Sequence, residues 1–595
     1  MRIAVLVKQI PKFEEMELGP DGRLRRDGIE PEMNPYCRRA VSQAVELAAA
    51  RDGSQVIVFT LGPEAADDTL REAIAWGLDR NVDTRGVLVS DAAFAGSDTL
   101  ATAKALAAAL TLEGPFDLVL TGRNSVDADT GQVGPEVAEL LDLPFLTGVR
   151  HLSVSAGNLV DARCEHDDGW MQAEVELPAV LSCAERLCEP AKVDPPGRAA
   201  VPGGRIRVLA STALGPGPWG AHASPTWVGP VKVVAVSRAR RKRADAPLEE
   251  QVRDAVQLLV ERGALRADLI DVHADAVPGW RPHAPGPAVA VIVEPDRMHA
   301  SRELLGVAAR LAAEIDGYTT AITIEDPEPE ILGTWGADDI VHVDGENVEE
   351  DVARAVVAWA EHRPYPPWAI VTGSTAWGRE VASRVAARLG AGLTGDAVDL
   401  ETGDGRLVAW KPAFGGQLVA AIGATSAVQM ATVRAGMITA LIPRAVGVPR
   451  VERVDMKARG RVRVLARTRD DDLEALADAA VVIGVGRGVQ PGEYDALEPL
   501  RALLGAELGA TRKVTDEGWL PRSRQVGITG RSIAPRLHVS IGASGKFNHT
   551  VGLRAAGTVL AINVDPGAPI FQAADVGIVA DWRDALPLLV KELGG

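Results

Sequence analysis

The sequence predicts an α/β fold made of two pseudo-symmetric βαβ domains followed by a doubly wound α/β domain. Short apolar runs such as RIAVLVKQ at 2–9 alternate with amphipathic runs such as RRAVSQAVELAAA at 38–50, and this alternation is typical of parallel βαβ units. The same order of strands and helices recurs over 286–450. Near the end, an apolar run at 537–541 leads through glycines into a helix start, which predicts the third unit.

Composition excludes several classes of protein. The chain of 595 residues is 47% hydrophobic and 24% charged, with a formal net charge of −18. An acidic surface binds nucleic acid and anionic membranes poorly, and it suits docking to basic patches on other proteins. No apolar run reaches the ~18 residues of a membrane span. Arg2 leads straight into a strand, so no signal peptide is predicted and the expected location is cytoplasmic.

The cysteines do not predict a metal site. The four cysteines (Cys37, Cys164, Cys183 and Cys188) show no CxxC or other paired spacing, so they are interpreted as reduced thiols. We expect no metal and no catalytic acid–base pair.

The first predicted domain covers 1–195. Strands are predicted at 2–9 and 115–122, and 55–63 is predicted as a strand followed by a turn. Helices are predicted at 38–50, at 64–80 and within 94–110, where Ser97 or Asp98 is the N-cap. The third strand runs into the loop TGRNSVDADTGQVGP. Backbone amides around 130–134 can hold a phosphate at the start of a helix near Pro135, and a plain Asp-rich turn is the alternative.

The predicted joining segment covers 196–285. Its Pro/Gly-rich first part predicts an extended segment that wraps around the fold. The basic cluster RARRKR at 238–243 is interpreted as a solvated linker face. The run 248–263 predicts an amphipathic helix with Gly263 at its C-terminal end.

The middle domain covers 286–450 and repeats the strand–turn–helix pattern. Asn347 and Glu350 have the spacing of a capping box at the start of one helix. Nothing in this domain corresponds to the DADTGQVGP loop, so it is interpreted as scaffold.

The last predicted domain covers 451–595. After a strand, the turn GVGRG at 484–488 lacks the third glycine of GxGxxG, so alone it is a weak nucleotide signal. The stretch 537–581 is stronger, because strand, glycine turn, helix and strand in succession point backbone N–H groups at an anionic ligand. Ser544, His549, Asn563 and Asp581 lie at the ends of these elements.

The last stretch resembles the FAD-binding signature of the electron transfer flavoprotein α subunit. GASGKFNH at 542–549, AINVDPGAPIF at 561–571 and ADVGIVAD at 574–581 occur in the family's order and spacing, and 286–450 continues the likeness. The resemblance implies non-covalent FAD, with Arg512 at the flavin ring, Thr529 at its N5 edge and His549 at the carbonyl between the ring nitrogens. The complete implied set is Arg487, Thr511, Arg512, Gln525, Val526, Gly527, Ile528, Thr529, Ser544, Gly545, Lys546, Phe547, Asn548, His549, Asn563, Asp581 and Trp582.

Residues 1–195 resemble the family's β subunit, through MNPYC at 33–37, the LGP turn at 61–63 and the DADTGQVGP loop at 127–135. The chain therefore resembles a fused β–α flavoprotein whose two halves pack together. In the family this region holds a second nucleotide, AMP in simple carriers and a second FAD in bifurcating members. The implied wall is Leu6, Asn34, Pro35, Tyr36, Cys37, Leu61, Asp127, Asp129, Thr130, Gly131, Gln132, Val133 and Gly134.

The resemblance implies a carrier that takes electrons from a partner dehydrogenase and passes them to a soluble or membrane-associated acceptor, such as a quinone oxidoreductase. The leucine that grips dehydrogenases in β subunits is absent or displaced here, because Glu189-Pro190 is followed by AKVDPPG and the leucine position falls near Pro195. A bifurcating carrier, a non-redox adenine-nucleotide sensor and an NAD-linked dehydrogenase are the alternatives.

Overall fold

The computed structural model describes the chain except at 13–16, 19–23, 26–29, 156, 168, 234–237, 267–274, 282–285, 414–417, 446, 470–474, 477–478, 528–529, 532 and 595. The described residues form three sheets of mainly parallel strands, one four-stranded antiparallel sheet and two two-stranded sheets.

The N-terminal half is built on one parallel sheet. The strands of this half are β1 Arg2–Leu6, β2 Gln9–Pro11, β3 Glu17–Leu18, β4 Leu24–Arg25, β5 Pro31–Met33, β6 Gln55–Leu61, β7 Asp83–Val89, β8 Leu118–Gly122, β9 Phe145–Val154, β10 Leu159–Glu165, β11 Gly169–Glu176, β12 Ala179–Cys183 and β13 Ile206–Leu209. Outside the main sheet, β2 pairs with β5 and β3 pairs with β4. Its helices are α1 Pro35–Ala49, α2 Asp67–Leu78, α3 Thr99–Glu113, α4 Val133–Leu140 and α5 Pro195–Ala199. The parallel strands lie in the order β13-β7-β6-β1-β8-β12-β9, and β10 and β11 extend the sheet in antiparallel pairing.

The second α/β unit repeats this plan. Its strands are β16 Ala288–Ile292, β17 Tyr318–Thr323, β18 Asp339–Asp344, β19 Ala369–Gly373, β20 Gly392–Ala397, β21 Asp399–Gly403, β22 Arg406–Ala413, β23 Leu418–Ala424, β24 Gln429–Val433 and β25 Arg450–Asp455. Its helices are α7 Met298–Glu314, α8 Pro329–Trp335, α9 Glu349–Glu361 and α10 Ala376–Leu389. The parallel order, β25-β18-β17-β16-β19-β24-β20, matches the first sheet strand for strand, which confirms the predicted pseudo-symmetry.

The two halves exchange strands. Strand β14, Thr226–Val233, pairs antiparallel with β23 of the second unit. Strand β26, Val462–Arg469, pairs antiparallel with β11 of the first. Each half thus pairs a strand with an antiparallel strand of the other. Of the two predicted N-caps of α3, Asp98 is the one that caps it, and Asp98 also accepts from Thr226 N at 3.0 Å.

This exchange of strands affects the predicted domain boundary between residues 450 and 451. Strand β25 joins the second sheet and β26 joins the first, whereas the C-terminal sheet begins at Val481. We propose that the last unit starts between Arg469 and Val481, because the sheet to which a strand belongs defines its domain better than its place in the chain.

A buried ion cluster joins helix α10 to helix α4 of the other half. Arg384 is fully buried and donates to Glu139 Oε2 at 2.7 Å and to Glu380 Oε1 at 3.4 Å. Its Nη2 lies 3.9 Å from Glu350 Oε2. Burial and the neighbouring Glu349 raise the pKa of Glu380 to about 8, against the effect of Arg384.

The predicted capping box at Asn347 and Glu350 is wrong. Helix α9 begins at Glu349 after Val348, with no side-chain cap. Asn347 Oδ1 instead accepts from Trp377 Nε1 at 2.8 Å, and Glu350 accepts from Arg461 at 2.6 Å. Both side chains are used for contacts between elements, which compete with a local cap.

The C-terminal unit is a doubly wound parallel sheet, as predicted. Its elements are β27 Val481–Val485, α11 Glu498–Leu504, β28 Glu507–Ala510, α12 Arg512–Asp516, β29 Leu537–Ile541, α13 Phe547–Thr550, β30 Thr558–Asn563, β31 Val576–Val579 and α14 Trp582–Glu592. The strand order is β15-β31-β30-β29-β27-β28, where β15 is Arg241–Lys242. Helix α6, Leu248–Glu261, packs its apolar face on α14 and β31.

The interpretation of the basic cluster 238–243 as a solvated linker is wrong for Arg238. Its side chain is 6% exposed and donates to Asp575 Oδ2 at 2.9 Å and to the carbonyls of Leu553 and Arg554 at 3.1 and 3.2 Å. Asp575 is fully buried. A buried carboxylate requires a cation, and the segment that leads to β15 supplies it.

Candidate functional site

The C-terminal sheet has its candidate site where the order of its strands reverses. From β27 the chain goes to β28 on one side of the sheet, and then to β29 on the other. Ligands of doubly wound sheets bind in the crevice between the carboxyl ends of two such strands. A cavity of about 300 Å³ lies there, lined by Gly486, Arg487, Thr511, Arg512, Lys513, Gln525, Val526, Gly527, Gly542, Ala543, Ser544, Gly545, Lys546 and His549.

Glycines allow the loops after β27 and β29 to touch. A Cβ on Gly486 would lie 2.2 Å from Gly542 O and 2.5 Å from Ala543 Cα. Gly542 and Gly545 have φ of +63° and +72°, and a Cβ on Gly545 would lie 2.2 Å from Ile570 Cα. Larger residues would force these backbones apart, so the glycines shape a cradle in which a ligand can approach the main chain.

Four cations line the cavity: Arg487, Arg512, Lys513 and Lys546. Arg512 is 44% exposed, and its Nε donates to Asp516 Oδ2 at 3.2 Å. Its Nη2 lies 3.7 Å from Glu185 Oε1 of the N-terminal half. Among the residues that the structure describes, the lining contains no Asp or Glu, so the cavity favours an anionic ligand.

His549 is a buried polar group of this cavity. Its Nδ1 lies 2.9 Å from Val526 O. A carbonyl only accepts, so Nδ1 carries the hydrogen. Its Nε2 has no hydrogen-bond partner in the described part of the chain. Burial lowers the pKa of His549 below its usual value, against the Val526 contact, so the imidazole is neutral at pH 7 and its Nε2 is available to a ligand.

Most of the residues implied for FAD line this cavity. They are Arg487, Thr511, Arg512, Gln525, Val526, Gly527, Ser544, Gly545, Lys546 and His549. Ile528, Thr529 and the side chains of Phe547 and Asn548 lie outside the described residues. The residues that sequence reasoning missed are Gly486, Lys513, Gly542 and Ala543, although the two glycine turns and the position next to Arg512 pointed to them.

Three implied residues support the cavity from outside its lining. Asn563 Nδ2 donates to Ala543 O at 2.8 Å. Trp582 Nε1 donates to Gly488 O at 3.0 Å. Asp581 caps helix α14 by accepting from Arg583 N at 2.9 Å. These contacts hold the two glycine turns and the last helix in place.

The first sheet reverses its order between β1 and β8, and the residues implied for a second nucleotide surround that point. Leu6 and Leu61 end strands β1 and β6, and 35–37 form the first turn of α1. Asn34 is 1% exposed, donates through Nδ2 to Asn124 O at 2.8 Å and accepts from Val126 N at 3.3 Å. It therefore ties the loop after β8 to the start of α1.

The loop 127–134 also contacts the second half. Asp127 accepts from Lys8 Nζ at 2.7 Å, and Asp129 and Gly131 have positive φ. Gln132 Nε2 donates to Leu393 O at 3.4 Å. Thr130 lies against Gly395, and Val133 and Gly134 open helix α4, two residues before the predicted start at Pro135. The implied nucleotide site is thus close to the interface of the two halves.

Two kinds of feature are absent from the part of the chain that the structure describes. No helix in the described ranges is both long and apolar enough to cross a bilayer. The described side chains also contain no group of three or more His, Cys, Asp or Glu arranged to hold a metal ion.

Comparison with known proteins identifies the family. The family model for the electron transfer flavoprotein domain matches residues 22–204 and 289–459, and the model for the electron transfer flavoprotein FAD-binding domain matches 475–554.

Curated relatives cover both halves. The chain is 32% identical to the electron transfer flavoprotein subunit alpha of Thermoanaerobacterium thermosaccharolyticum over 311 residues, 50% of this chain and 93% of that one. It is 36% identical to the subunit beta of the same organism over 266 residues, 44% of this chain and 97% of that one. It is also 37% identical to a caffeyl-CoA reductase-Etf complex subunit of Acetobacterium woodii over 191 residues, 32% of this chain and 71% of that one. The chain belongs to the electron transfer flavoprotein family and carries the β-like and α-like halves in one polypeptide.

Proposed function

We propose that this protein is an electron carrier that binds FAD in the C-terminal cavity, accepts electrons from a partner dehydrogenase and passes them to a second redox partner. The observation that carries the proposal is the cavity itself. It combines a glycine cradle, four cations and a buried imidazole at the point where a doubly wound sheet binds its ligand.

The lining fits a dinucleotide cofactor. FAD carries a diphosphate, and Arg487, Lys513 and Lys546 supply positive charge beside the N–H groups of the glycine turns. The volume of about 300 Å³ is at the lower end of the ~300–1,000 Å³ of small-molecule sites. FAD supplies the redox chemistry of the carrier.

The residues of the chain tune the charge of the site. Arg512 stays protonated when partly desolvated, so it stabilises negative charge that develops beside it. His549 Nε2 is an acceptor in the neutral imidazole and becomes a donor when the ring takes a proton. The pKa of His549 is lowered by burial, and added negative charge nearby would raise it again. We therefore propose that His549 gains a proton when the site gains an electron.

Replacing Arg512 with alanine is expected to lower the flavin midpoint potential. A unit charge ~4 Å away contributes ~4 kcal/mol at an effective dielectric of ~20. Arg512 is 44% exposed and close to Asp516 and Glu185, so we expect about 1 kcal/mol. Redox titration of both forms measures the shift.

Lys591→Ala is the control, because Lys591 lies in the last turn of α14 and outside the cavity lining. An unchanged or raised potential in the Arg512 variant, with FAD still bound, would refute the role given to Arg512.

We also propose that the N-terminal half binds a second nucleotide. AMP and FAD share an adenosine and a phosphate, so both can use Asn34 and the loop 127–134. We propose that the small residues Ala128 and Gly131 favour the larger ligand by taking up little space around the groups beyond that phosphate. The charged neighbours of Asp129 in the other half are the cations Arg379, Arg434 and Lys411 and one carboxylate, Asp396. This excess of positive charge suits a second phosphate. We therefore favour FAD over AMP there, and chromatography of the nucleotides released from the protein distinguishes them.

We infer the charge of the partners' docking faces from the net charge of this chain. The net charge of −18 favours donors and acceptors with basic docking faces. The acceptor is proposed to be a quinone oxidoreductase or a similar protein.

A further inference from the structure

The second half contains a third reversal of strand order. From β16 the chain goes to β17 and β18 on one side of the sheet, and then to β19 on the other. The carboxyl ends of β16 and β19 therefore form a crevice of the same kind as those that hold ligands in doubly wound sheets. The sequence predicts only scaffold in this half.

A half-open cavity of about 170 Å³ lies at this crevice. At ~30 Å³ per molecule it has room for about five waters or a small ligand. Its lining combines the loops after β16 and β18, the first turn of α10, and the exchanged strand β26 with its partner β11. The lining residues are His166, Gly169, Trp170, Glu294, Pro295, Asp296, Arg297, Asn347, Trp377, Arg467, Thr468 and Arg469.

Charge and burial favour an anion. Three guanidinium groups line the cavity, against two carboxylates. Arg297 is only 7% exposed, and its Nε lies 3.6 Å from Glu294 Oε1. Glu294 Oε2 also accepts from Thr375 Oγ1 at 2.6 Å. Two neighbouring side chains therefore already bind this carboxylate.

The other two arginines are held in position by the second half. Arg467 Nη2 donates to Asn347 O at 3.0 Å and to Glu349 at 2.9 Å. Arg469 Nη2 donates to Asp296 O at 3.1 Å. Guanidinium forks fixed in this way are suited to bidentate contacts with a phosphate or carboxylate.

His166 offers an unused polar atom. Its Nε2 is buried and has no hydrogen-bond partner among the residues that the structure describes. Burial lowers the pKa of this histidine, so the ring is neutral and can hydrogen-bond a ligand. A buried polar atom without a partner is uncommon.

The N-terminus of the neighbouring helix already binds a carboxylate. Asp167 Oδ2 accepts from Ala376 N, the first residue of the 14-residue helix α10, at 2.6 Å. Asp167 lies next to His166 in the hairpin between β10 and β11 of the first half. Negative charge is therefore favoured at this end of the sheet.

We propose that this cavity binds a small oxyanion, either free phosphate or the phosphate group of a small metabolite. Binding would connect β26 and the β10–β11 hairpin of the first half to the second sheet. The proposal does not depend on whether the C-terminal cavity holds FAD.

Calorimetric titration of the full chain, saturated with FAD and AMP so that the other crevices are filled, tests the proposal. The probes are inorganic phosphate and ribose 5-phosphate. Arg469→Gln is the test variant, and Arg463→Gln is the control, since Arg463 is on the same strand, 69% exposed and outside the cavity lining. Loss of one charged hydrogen bond should weaken binding by about tenfold or more.

Binding that is weakened by Arg469→Gln and unchanged by Arg463→Gln would support the proposal. Tighter binding of ribose 5-phosphate than of phosphate would then indicate a metabolite, and equal binding would indicate free phosphate. No binding of either probe to the unmodified chain, or equal weakening by both variants, would overturn it.

Discussion

Replacing Arg384 with methionine is expected to lower the free energy of unfolding by about 3–5 kcal/mol, because the change removes the fully buried cation that three buried acids share. Glu139, Glu350 and Glu380 are at most 9% exposed, and all lie within 4 Å of this guanidinium. Glu139 belongs to the first half and the others to the second, so the loss should fall on the contact between the halves. Urea unfolding at pH 7 measures it.

The control is Arg388→Met, one turn further along the same helix. Arg388 also contacts Glu139, but its side chain is 37% exposed. Exposed ion pairs contribute about 0–1 kcal/mol, so this variant should be nearly as stable as the unmodified chain. Equal losses in the two variants would contradict the buried role of Arg384.

Replacing His538 with phenylalanine is expected to change how stability depends on pH. His538 is fully buried, and neither ring nitrogen has a partner in the portion of the chain that the structure describes. Burial, together with the nearby His549 and Arg238, lowers the pKa of His538 to about 3.

The direction of the effect follows from proton binding. The unfolded chain binds a proton at His538 below its ordinary pKa of ~6.5, whereas the folded chain does not, so stability falls as the pH drops below ~6.5. At pH 4.5 this histidine should destabilise the fold by about 3 kcal/mol relative to pH 7. The phenylalanine variant should not suffer this loss.

Urea unfolding at pH 7 and 4.5 tests this prediction through the difference between the variant and the unmodified chain. His222→Phe is the control, because His222 is exposed. If the stability of the His538 variant follows the same pH curve as the unmodified chain, the histidine is not held neutral by burial.

The parts of the fold that are local in sequence were predictable. Strand–helix alternation fixes the three parallel sheets, Asp98 caps its helix as its position suggests, and α6 buries the face that its apolar spacing defines. The C-terminal cavity was also predictable, because each of its glycine turns lies beside its polar residues in the chain.

The parts that depend on distant partners were not predictable. The pairing of β26 with β11 joins residues almost 300 positions apart, and no periodicity records it. Arg238 lies in a basic run whose composition is typical of a solvent-exposed linker. Its side chain is nevertheless buried, because it pairs with the buried carboxylate of Asp575, more than 300 residues later in the chain. For the same reason, the cavity beside β16 was missed, since its wall comes from two other parts of the chain.

The most direct test of the central claim is to count flavin per chain. The purified protein is saturated with FAD, freed of excess by gel filtration and mildly denatured, and the released nucleotides are separated by chromatography. We predict a yellow protein that releases intact, non-covalent FAD, with one molecule from the C-terminal cavity and a second nucleotide from the N-terminal half. A colourless protein that takes up no FAD would contradict the account.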